Sequence, residues 1–313
     1  MKMGYAKNRV RNFMGSYFSF IGLLLVVIIF HVLTEGRLIS SRNMMNIFNN
    51  FFSIGLGSVG VMFLMSLGEL DLSVGAILGF SAAIGAFSAE IHTVWILPAC
   101  LLTGLLIGSL NGVLVSRLKV ESFIGTLAVS FIARGLTTYL LNGSVGIPLT
   151  QRVYDKSAVK VTVFIIVAVV CYILFDYTSY GKACRSVGAS ADAARQSGVA
   201  VERVRMTAFM ISGLLCGLAG FFSLVRTCTA SSKTGDAFEF EVLLAVLFGG
   251  MPLSGGWSVK FRAAIVGSIA MAVMQNGMSL MGIDGLTQQL VQGIILIVVV
   301  VISFDRKNTV VIK

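Results

Sequence analysis

The sequence is poor in the residues on which soluble proteins and metal or redox sites depend. Charged residues make up only 12% of its 313 residues, about half the usual share, while hydrophobic residues make up 56%. Two histidines, and five cysteines without any C-x-x-C spacing, offer no pattern for a metal or redox site. The nucleotide-binding loop G-x-x-x-x-G-K-[ST] is missing too, because Ala183 follows the only Gly-Lys pair. We expect an integral membrane protein that is not an enzyme and has no ATPase motif of its own.

Long apolar runs are what the sequence has in abundance. A helix needs about 20 apolar residues to cross a bilayer, and ten runs of roughly this length predict an all-α polytopic protein. No cleavage site with small residues follows the first run, so we expect a retained anchor rather than a signal peptide. The predicted spans lie at approximately 15–33, 47–67, 72–89, 94–115, 122–141, 159–175, 206–225, 240–257, 261–280 and 285–303.

The basic residues predict the orientation of these spans. With the N-terminus in the cytoplasm, 16 Lys and Arg residues lie on the inner side, 7 on the outer side, and Arg134 within a span. Cytoplasmic loops of membrane proteins carry such an excess of positive charge, so both termini are expected in the cytoplasm. Eight spans with two re-entrant segments would keep the same ends, and the count stays open between eight and ten.

Two segments 181 positions apart share the pattern G-x-x-x-L-S-x-G. They are Gly68–Gly75 and Gly249–Gly256, and each links an inward-running span to an outward-running one. Gly-interrupted helices at corresponding positions of repeated halves are typical of transporters. We therefore expect a single transmembrane domain over 1–313, with a parallel internal repeat whose halves are 15–115 and 206–303.

A few polar side chains within or beside the spans are candidates for a solute pathway. Glu69 and Asp71 either cap a helix and form a hinge or bind an ion or solute, and capping is favoured because no opposing charge is evident nearby. Arg134 is either paired near an aqueous cavity or snorkels towards the outer face. Gln288 and Gln292 share a helix face and either line a path for a hydroxylated solute or bond between helices.

The longest predicted cytoplasmic loop, 176–205, contains a short helix. Ser190 can cap its first amides, Asp192 complements its dipole, and Gly198 can end it. A helix of small residues flanked by arginines is suited to docking into a groove of a partner protein. An ordinary solvated loop helix is the alternative.

Four blocks, in this order, resemble the permease subunits of bacterial ATP-binding-cassette importers of the ribose and simple-sugar type. Gly68–Gly75 resembles the family's GGxDLSVG, and Phe123–Ala128 with Arg134-Gly135-Leu136 is similar to PxFIxTLG…RG. Gly181–Gly198 resembles GxxxxAxGxNxxAAxxSGI, the cytoplasmic coupling segment, and Glu241–Gly256 is similar to E…AVxxGGxSLxGG. The departures are Glu69 and Ser258 in place of glycine, Glu121-Ser122 where proline is common, Ala128 in place of glycine, and Ser190 where asparagine is common.

The resemblance implies the subunit of an importer in the bacterial inner membrane. Two permease chains, identical or different, would bind two ATPase subunits or one fused ATPase, which would hold ATP and Mg²⁺. An extracytoplasmic binding protein would deliver a monosaccharide, either a ribose-like pentose or a hexose. The expected ATPase contact comprises Gly188, Ser190, Ala193, Ala194, Arg195, Gly198 and Val201. The expected pathway comprises Glu69, Asp71, Ser73, Phe123, Thr126, Arg134, Ser254, Gln288 and Gln292.

Two alternatives from other classes of transport stay open on the sequence. The first is an ion-coupled secondary transporter of a small polar solute, in which Glu69, Asp71 or Arg134 carries the coupling charge. The second is an ATP-driven importer of nucleosides or of a sugar-like signalling molecule.

Overall fold

The fold is built almost entirely of α-helices. The structure is a computed structural model, and it describes residues 19–303. Two three-residue strands, β1 (Ser144–Gly146) and β2 (Thr229–Ser231), pair antiparallel. The helices of this part of the chain are α1 (Ser19–Leu33), α2 (Ser41–Ser66), α3 (Val74–Ile91), α4 (Ile96–Ser116), α5 (Ser122–Leu141), α6 (Ser157–Tyr172, continued by a π-helical turn to Tyr177), α7 (Ser179–Ala189), α8 (Ala191–Gln196), α9 (Val201–Thr227), α10 (Phe238–Phe248), α11 (Phe261–Leu280) and α12 (Gly285–Ser303).

Seven helices in the described residues are long and apolar enough to cross a membrane, namely α2, α3, α4, α5, α6, α9 and α11. Two shorter apolar helices, Ser19–Leu33 and Gly285–Val299, lie within the first and last predicted spans. Residues 15–18 of the first predicted span lie outside the described residues. The structure thus confirms an all-α polytopic membrane protein, while the count of ten spans stays a prediction.

The candidate span at 240–257 is helical only as far as Phe248, and its Gly-broken second half is not helical. Helix α10 ends at Phe248, and the chain then runs without helix to Phe261. Gly250, Gly255 and Gly256 have positive φ angles in this segment, a backbone conformation that helices do not use and that glycine adopts readily. The apolar character of the run therefore reflects burial of a non-helical segment and not a complete span.

The centre of the bundle is α9, which packs closely against α4 through small residues. A Cβ atom built on Gly104 would lie 2.3 Å from the Gly213 carbonyl oxygen, and one built on Gly217 would lie 2.5 Å from that of Cys100. The spacing of glycines every fourth residue predicts such close approach of helix backbones in a membrane. The structure confirms this prediction for α4 and α9.

The two ends of the bundle differ in what they carry. Helices α7 and α8 lie at the end where α2 finishes and α5 and α9 begin, which we call the coupling end. Strands β1 and β2 lie where α5 and α9 finish, which we call the strand end. The topology predicted from the basic residues puts the coupling end in the cytoplasm.

Candidate functional site

Helix α8 forms at the coupling end as the sequence predicts. The Ser190 hydroxyl accepts a hydrogen bond from the Ala193 amide at 3.3 Å, which caps the first turn. Gly198 follows the helix with φ +84°, the left-handed conformation in which helices commonly end. Arg195 pairs with Glu202 on α9 at 2.7 Å and so fixes α8 to the next helix. The predicted ATPase-contact residues, from Gly188 to Val201, thus lie at the end of α7, on α8, in the turn after it and at the start of α9.

The six residues of α8 present two different faces. Ala194 is buried at 4% exposure, and Val201 at the start of α9 is fully buried, so both pack inside the chain. Asp192, Ala193 and Gln196 are exposed on the outer face. A docking partner would therefore contact Ala193 and its exposed neighbours, whereas Ala194 and Val201 support the helix from within.

Gly188 on α7 lies where the two G-x-x-x-L-S-x-G segments meet. A Cβ built on Gly188 would lie 2.0 Å from the Ser66 carbonyl oxygen and 2.7 Å from the Gly256 amide nitrogen. Gly256 donates its amide to Ser66 at 2.9 Å, and a Cβ on Gly255 would lie 2.5 Å from the Gly68 nitrogen. We call this backbone-to-backbone contact the glycine junction. It brings the coupling segment and both predicted breaks together.

The first break, between α2 and α3, runs along the start of α5. The Leu70 amide donates to the Ser122 hydroxyl at 3.3 Å, and the Leu72 amide donates to the Thr126 hydroxyl at 3.1 Å. Because the segment is not helical, these backbone amides have no partner within a helix, and two side chains of α5 accept their hydrogen bonds instead. Thr126 is fully buried and supports the break, and its role in a pathway stays a prediction.

Asp71 holds the turn that leads into α3. Its carboxylate accepts hydrogen bonds from the Ser73 amide at 2.8 Å and from the Ser73 hydroxyl at 2.6 Å. Asn111 on α4 donates to the same hydroxyl at 2.7 Å. All three side chains are fully buried. This geometry supports the capping interpretation of Asp71, because its contacts organise the backbone immediately before a helix.

Glu69 has an opposing charge that the sequence does not reveal. Arg205, 136 residues later on α9, places its Nε atom 2.9 Å from the Glu69 carboxylate. The pair lies beside a cavity of about 420 Å³ at the coupling end, which Asp192 and Arg195 of α8 also line. Arg195 of α8 pairs with Glu202 of α9, and Arg205 of α9 pairs with Glu69 in the first break. Charged side chains therefore connect α8 to the first break through α9.

Arg134 is paired with two acids, which supports its interpretation as a paired charge beside a cavity. Its guanidinium contacts Asp236 at 2.5 Å and Glu239 at 2.9 Å, and it donates to the Gly235 carbonyl at 3.2 Å. These groups precede or begin α10. A cleft of about 400 Å³ between α5, α10 and α12 lies beside them.

The two predicted amides of α12 fit different interpretations, because Gln288 bonds to α11 and Gln292 lines a cleft. Gln288 donates to the Ser279 hydroxyl at 3.1 Å and to the Ile283 carbonyl at 2.8 Å, so it ties α12 to the end of α11. Gln292 lines the cleft beside Arg134. On α11, Gln275 donates to Glu241 of α10 at 2.5 Å, which is a bond between helices.

Of the remaining predicted pathway residues, Phe123 and Ser254 line neither of these two cavities. Phe123 is 45% exposed on the outer surface of α5. Ser254 is exposed in the segment after α10, and its carbonyl oxygen faces Gly68 at the glycine junction. Nothing in their positions brings them next to Arg134 or Gln292.

Comparison with protein families identifies the class of the chain. The model of the family described as "Branched-chain amino acid transport system / permease component" matches residues 43–300. The chain belongs to this family. Such a match over most of the chain, together with the apolar helices, makes it a multi-pass membrane permease component.

Individual relatives of this permease are similar over nearly their whole length. The L-arabinose ABC transporter permease protein of Azospirillum brasilense is 31% identical, over 88% of this chain and 84% of its own. The ribose import permease protein of Bacillus subtilis is 30% identical, over 93% and 92%. The xylose transport system permease protein of Haemophilus influenzae is 27% identical, over 93% and 96%. A comparison with solved structures found no match.

The acidic partners of Arg134 are absent from the residues predicted for the pathway of this permease. Asp236 and Glu239 stand three residues apart at the start of an apolar run, and an arginine in a span needs a partner of this kind. Listing the acids at the ends of the later spans would have found both. The pairing of Glu69 with Arg205 had no such signal, because Arg205 belongs to a basic loop that the positive-inside rule already explains.

Proposed function

We propose that the chain is the membrane-spanning subunit of an ATP-driven importer in the bacterial inner membrane, and that it moves a monosaccharide. A ribose-like pentose or a hexose is the proposed solute, and an extracytoplasmic binding protein delivers it. The named substrates of the similar permeases, which are arabinose, ribose and xylose, support this choice of solute.

The observation that carries the proposal is the glycine junction. Gly188 of the coupling segment is in backbone contact with Ser66 and Gly256, at the two non-helical segments that interrupt the bundle. Backbone contacts without intervening side chains transmit a displacement without rotamer changes that could absorb it. A partner that pulls on α8 would therefore move both breaks together.

The partner in this proposal is a pair of ATP-binding-cassette ATPase subunits, or one fused ATPase, at the coupling end. ATP and Mg²⁺ belong to that partner, because this chain has no phosphate-binding loop. A second permease chain, identical or different, completes the membrane part. ATP acts by binding the outward-open and inward-open states unequally through the ATPase, which shifts the equilibrium between them.

The charged candidates of the ion-coupled alternative all have fixed partners. Glu69 pairs with Arg205, Asp71 bonds with Ser73, and Arg134 pairs with two acids. A coupling ion at Glu69 or Arg134 would have to break an ion pair, and such rearrangement is costly in a low dielectric. The second oxygen of the buried Asp71 carboxylate has no hydrogen-bond partner within residues 19–303, so Asp71 is the residue to replace if uptake follows an ion gradient.

The experiment is purification of the tagged chain from its native membrane in mild detergent, followed by mass spectrometry and uptake assays. We expect an ATPase at near-equal stoichiometry, and ATP-dependent uptake of D-ribose, L-arabinose, D-xylose or a hexose by the reconstituted complex. Recovery of the chain alone, with uptake that follows an ion gradient, would contradict the proposal.

A further inference from the structure

The cleft beside Arg134 has the dimensions and lining of a small-molecule site. Its volume of about 400 Å³ falls within the range of known ligand pockets. It opens between α5 on one side and α10 and α12 on the other. Its polar lining and single aromatic side chain are Arg134, Asp236, Glu239, Phe240, Gln289 and Gln292.

Gln292 provides the evidence that this cleft binds a ligand. Its side chain is 97% buried, and its amide oxygen has no hydrogen-bond partner within residues 19–303. Buried acceptors are almost always paired, because an unpaired one loses its hydration without compensation. Because this oxygen is shielded from the cleft surface, the amide group must turn towards the cleft before a donor there can supply the missing bond. The ligand therefore carries a hydroxyl or another hydrogen-bond donor.

The charges of the cleft select against anions. Two carboxylates, Asp236 and Glu239, face one guanidinium, which already binds both of them. A carboxylate or phosphate group that enters the cleft would meet two carboxylates and one guanidinium, so the repulsion from the acids outweighs the attraction to Arg134. The two amides, Gln289 and Gln292, admit neutral groups without such repulsion.

Phe240 gives the cleft an aromatic surface for a ligand ring whose edges are polar. It lines the cleft, and 43% of its surface is exposed. The face of an aromatic ring is electrostatically negative and attracts the weakly positive C–H groups of a saturated ring. A few oriented polar groups around an apolar surface are what fixes the orientation of a small ligand.

We propose that this cleft is the solute subsite of the permease, and that it holds a neutral monosaccharide. Gln292 bonds a sugar hydroxyl and Phe240 packs against the ring, while Gln289 is an exposed lining residue of the cleft. The ion pairs of Arg134 position α10 against α5 and exclude anionic solutes. The inference rests on the proposed function, since it names the place where that solute is held.

The test is protection of an introduced cysteine by sugar. Gln289→Cys puts a thiol at an exposed position in the cleft, and Thr287→Cys puts one at an exposed position on the same helix outside it. All five native cysteines are buried, and burial raises the pKa of Cys184 to about 11, so the native thiols react slowly. The reconstituted complex is labelled with a water-soluble thiosulfonate reagent, with and without the sugar that it transports.

We expect the transported sugar to slow labelling at position 289 by about tenfold when the cleft is nearly saturated, and to leave position 287 unchanged. L-Leucine and ribose 5-phosphate should protect neither position. Equal labelling at position 289 with and without the transported sugar would overturn the subsite while leaving the proposed function intact. If no sugar is transported at all, the proposed function itself fails. Protection by leucine or by the phosphate would overturn the charge argument.

A second variant separates binding from folding. Gln292→Leu keeps the approximate size of the side chain and removes its acceptor, and we expect the sugar concentration for half-protection at position 289 to rise about tenfold. Gln288→Leu is the matched control, because this amide bonds to Ser279 and Ile283 rather than facing the cleft. The control should change the thermal unfolding midpoint without changing half-protection. Equal half-protection in both variants would overturn the role of Gln292.

Discussion

Gly188 is a position at which adding a single methyl group should destabilise the protein. A Cβ there would lie 2.0 Å from the Ser66 carbonyl oxygen, which is backbone and cannot rotate away. We expect Gly188→Ala to lower the free energy of unfolding by about 1–3 kcal/mol, because the glycine junction must open to admit it. The measurement is the thermal unfolding midpoint in detergent.

Gly135→Ala is the control for this substitution. Gly135 also lies in a helix, α5, but no atom lies within 4 Å of its added Cβ. The change should be neutral or stabilise the protein by roughly 0.5–1 kcal/mol through the lower backbone entropy of alanine. Equal midpoints for the two variants would refute the close approach at the junction.

The pairing of Glu69 with Arg205 is also tested at the scale of residues. We expect Glu69→Gln and Arg205→Gln each to reduce transport, and the charge exchange Glu69→Arg with Arg205→Glu to recover part of it. A double-mutant cycle on stability should give a coupling energy of roughly 1 kcal/mol, since both side chains are partly buried. Arg203→Gln, on the exposed side of the same turn, is the control and should have little effect. A coupling energy near zero would mean that the two charges act independently.

At the scale of elements, the first break depends on hydroxyl groups from α5. Thr126→Val keeps the shape of the side chain and removes the acceptor of the Leu72 amide, which costs about 1–3 kcal/mol for a buried donor left unpaired. Thr138→Val on the same helix removes only a bond to the Arg134 carbonyl at an exposed site, and it should cost much less. Thermal unfolding of the two variants makes the comparison, and equal losses would contradict the supporting role of Thr126.

Helix α8 illustrates how far sequence reasoning reaches at this scale. Ser190 and Gly198 predict both of its ends correctly, because caps are local signals. Which face of the helix is buried could not be predicted, because Ala193 and Ala194 have the same side chain and six residues give no apolar pattern. The glycine pattern of Gly249–Gly256 predicts the break after Phe248, whereas hydropathy alone does not show it, since this segment is as apolar as a span.

At the scale of the whole molecule, the arrangement of the helices was predictable only in part. Hydropathy identified the long helices, and glycine spacing marked α4 and α9 as helices that a neighbour can approach closely, without naming the neighbour. Contacts between distant segments, such as Glu69 with Arg205, depend on the tertiary fold and have no local signal.

The orientation of the molecule in the membrane is testable by labelling from one side. Gln196→Cys on α8 and Thr150→Cys near the strand end both put thiols at exposed positions. We expect an impermeant reagent to label position 150 in intact cells, and position 196 only after permeabilisation, because the basic residues favour a cytoplasmic coupling end. The opposite pattern would reverse the topology.

The most direct measurement of the central claim is ATP-dependent sugar uptake by proteoliposomes that contain the complex with either wild-type chain or Ala193→Trp. Ala193 is exposed on α8, so tryptophan there alters the docking surface and not the core. We predict uptake by the wild type only with ATP, and a loss of about tenfold or more in the variant at an unchanged unfolding midpoint. Uptake without ATP, or undiminished uptake in Ala193→Trp, would contradict coupling through α8.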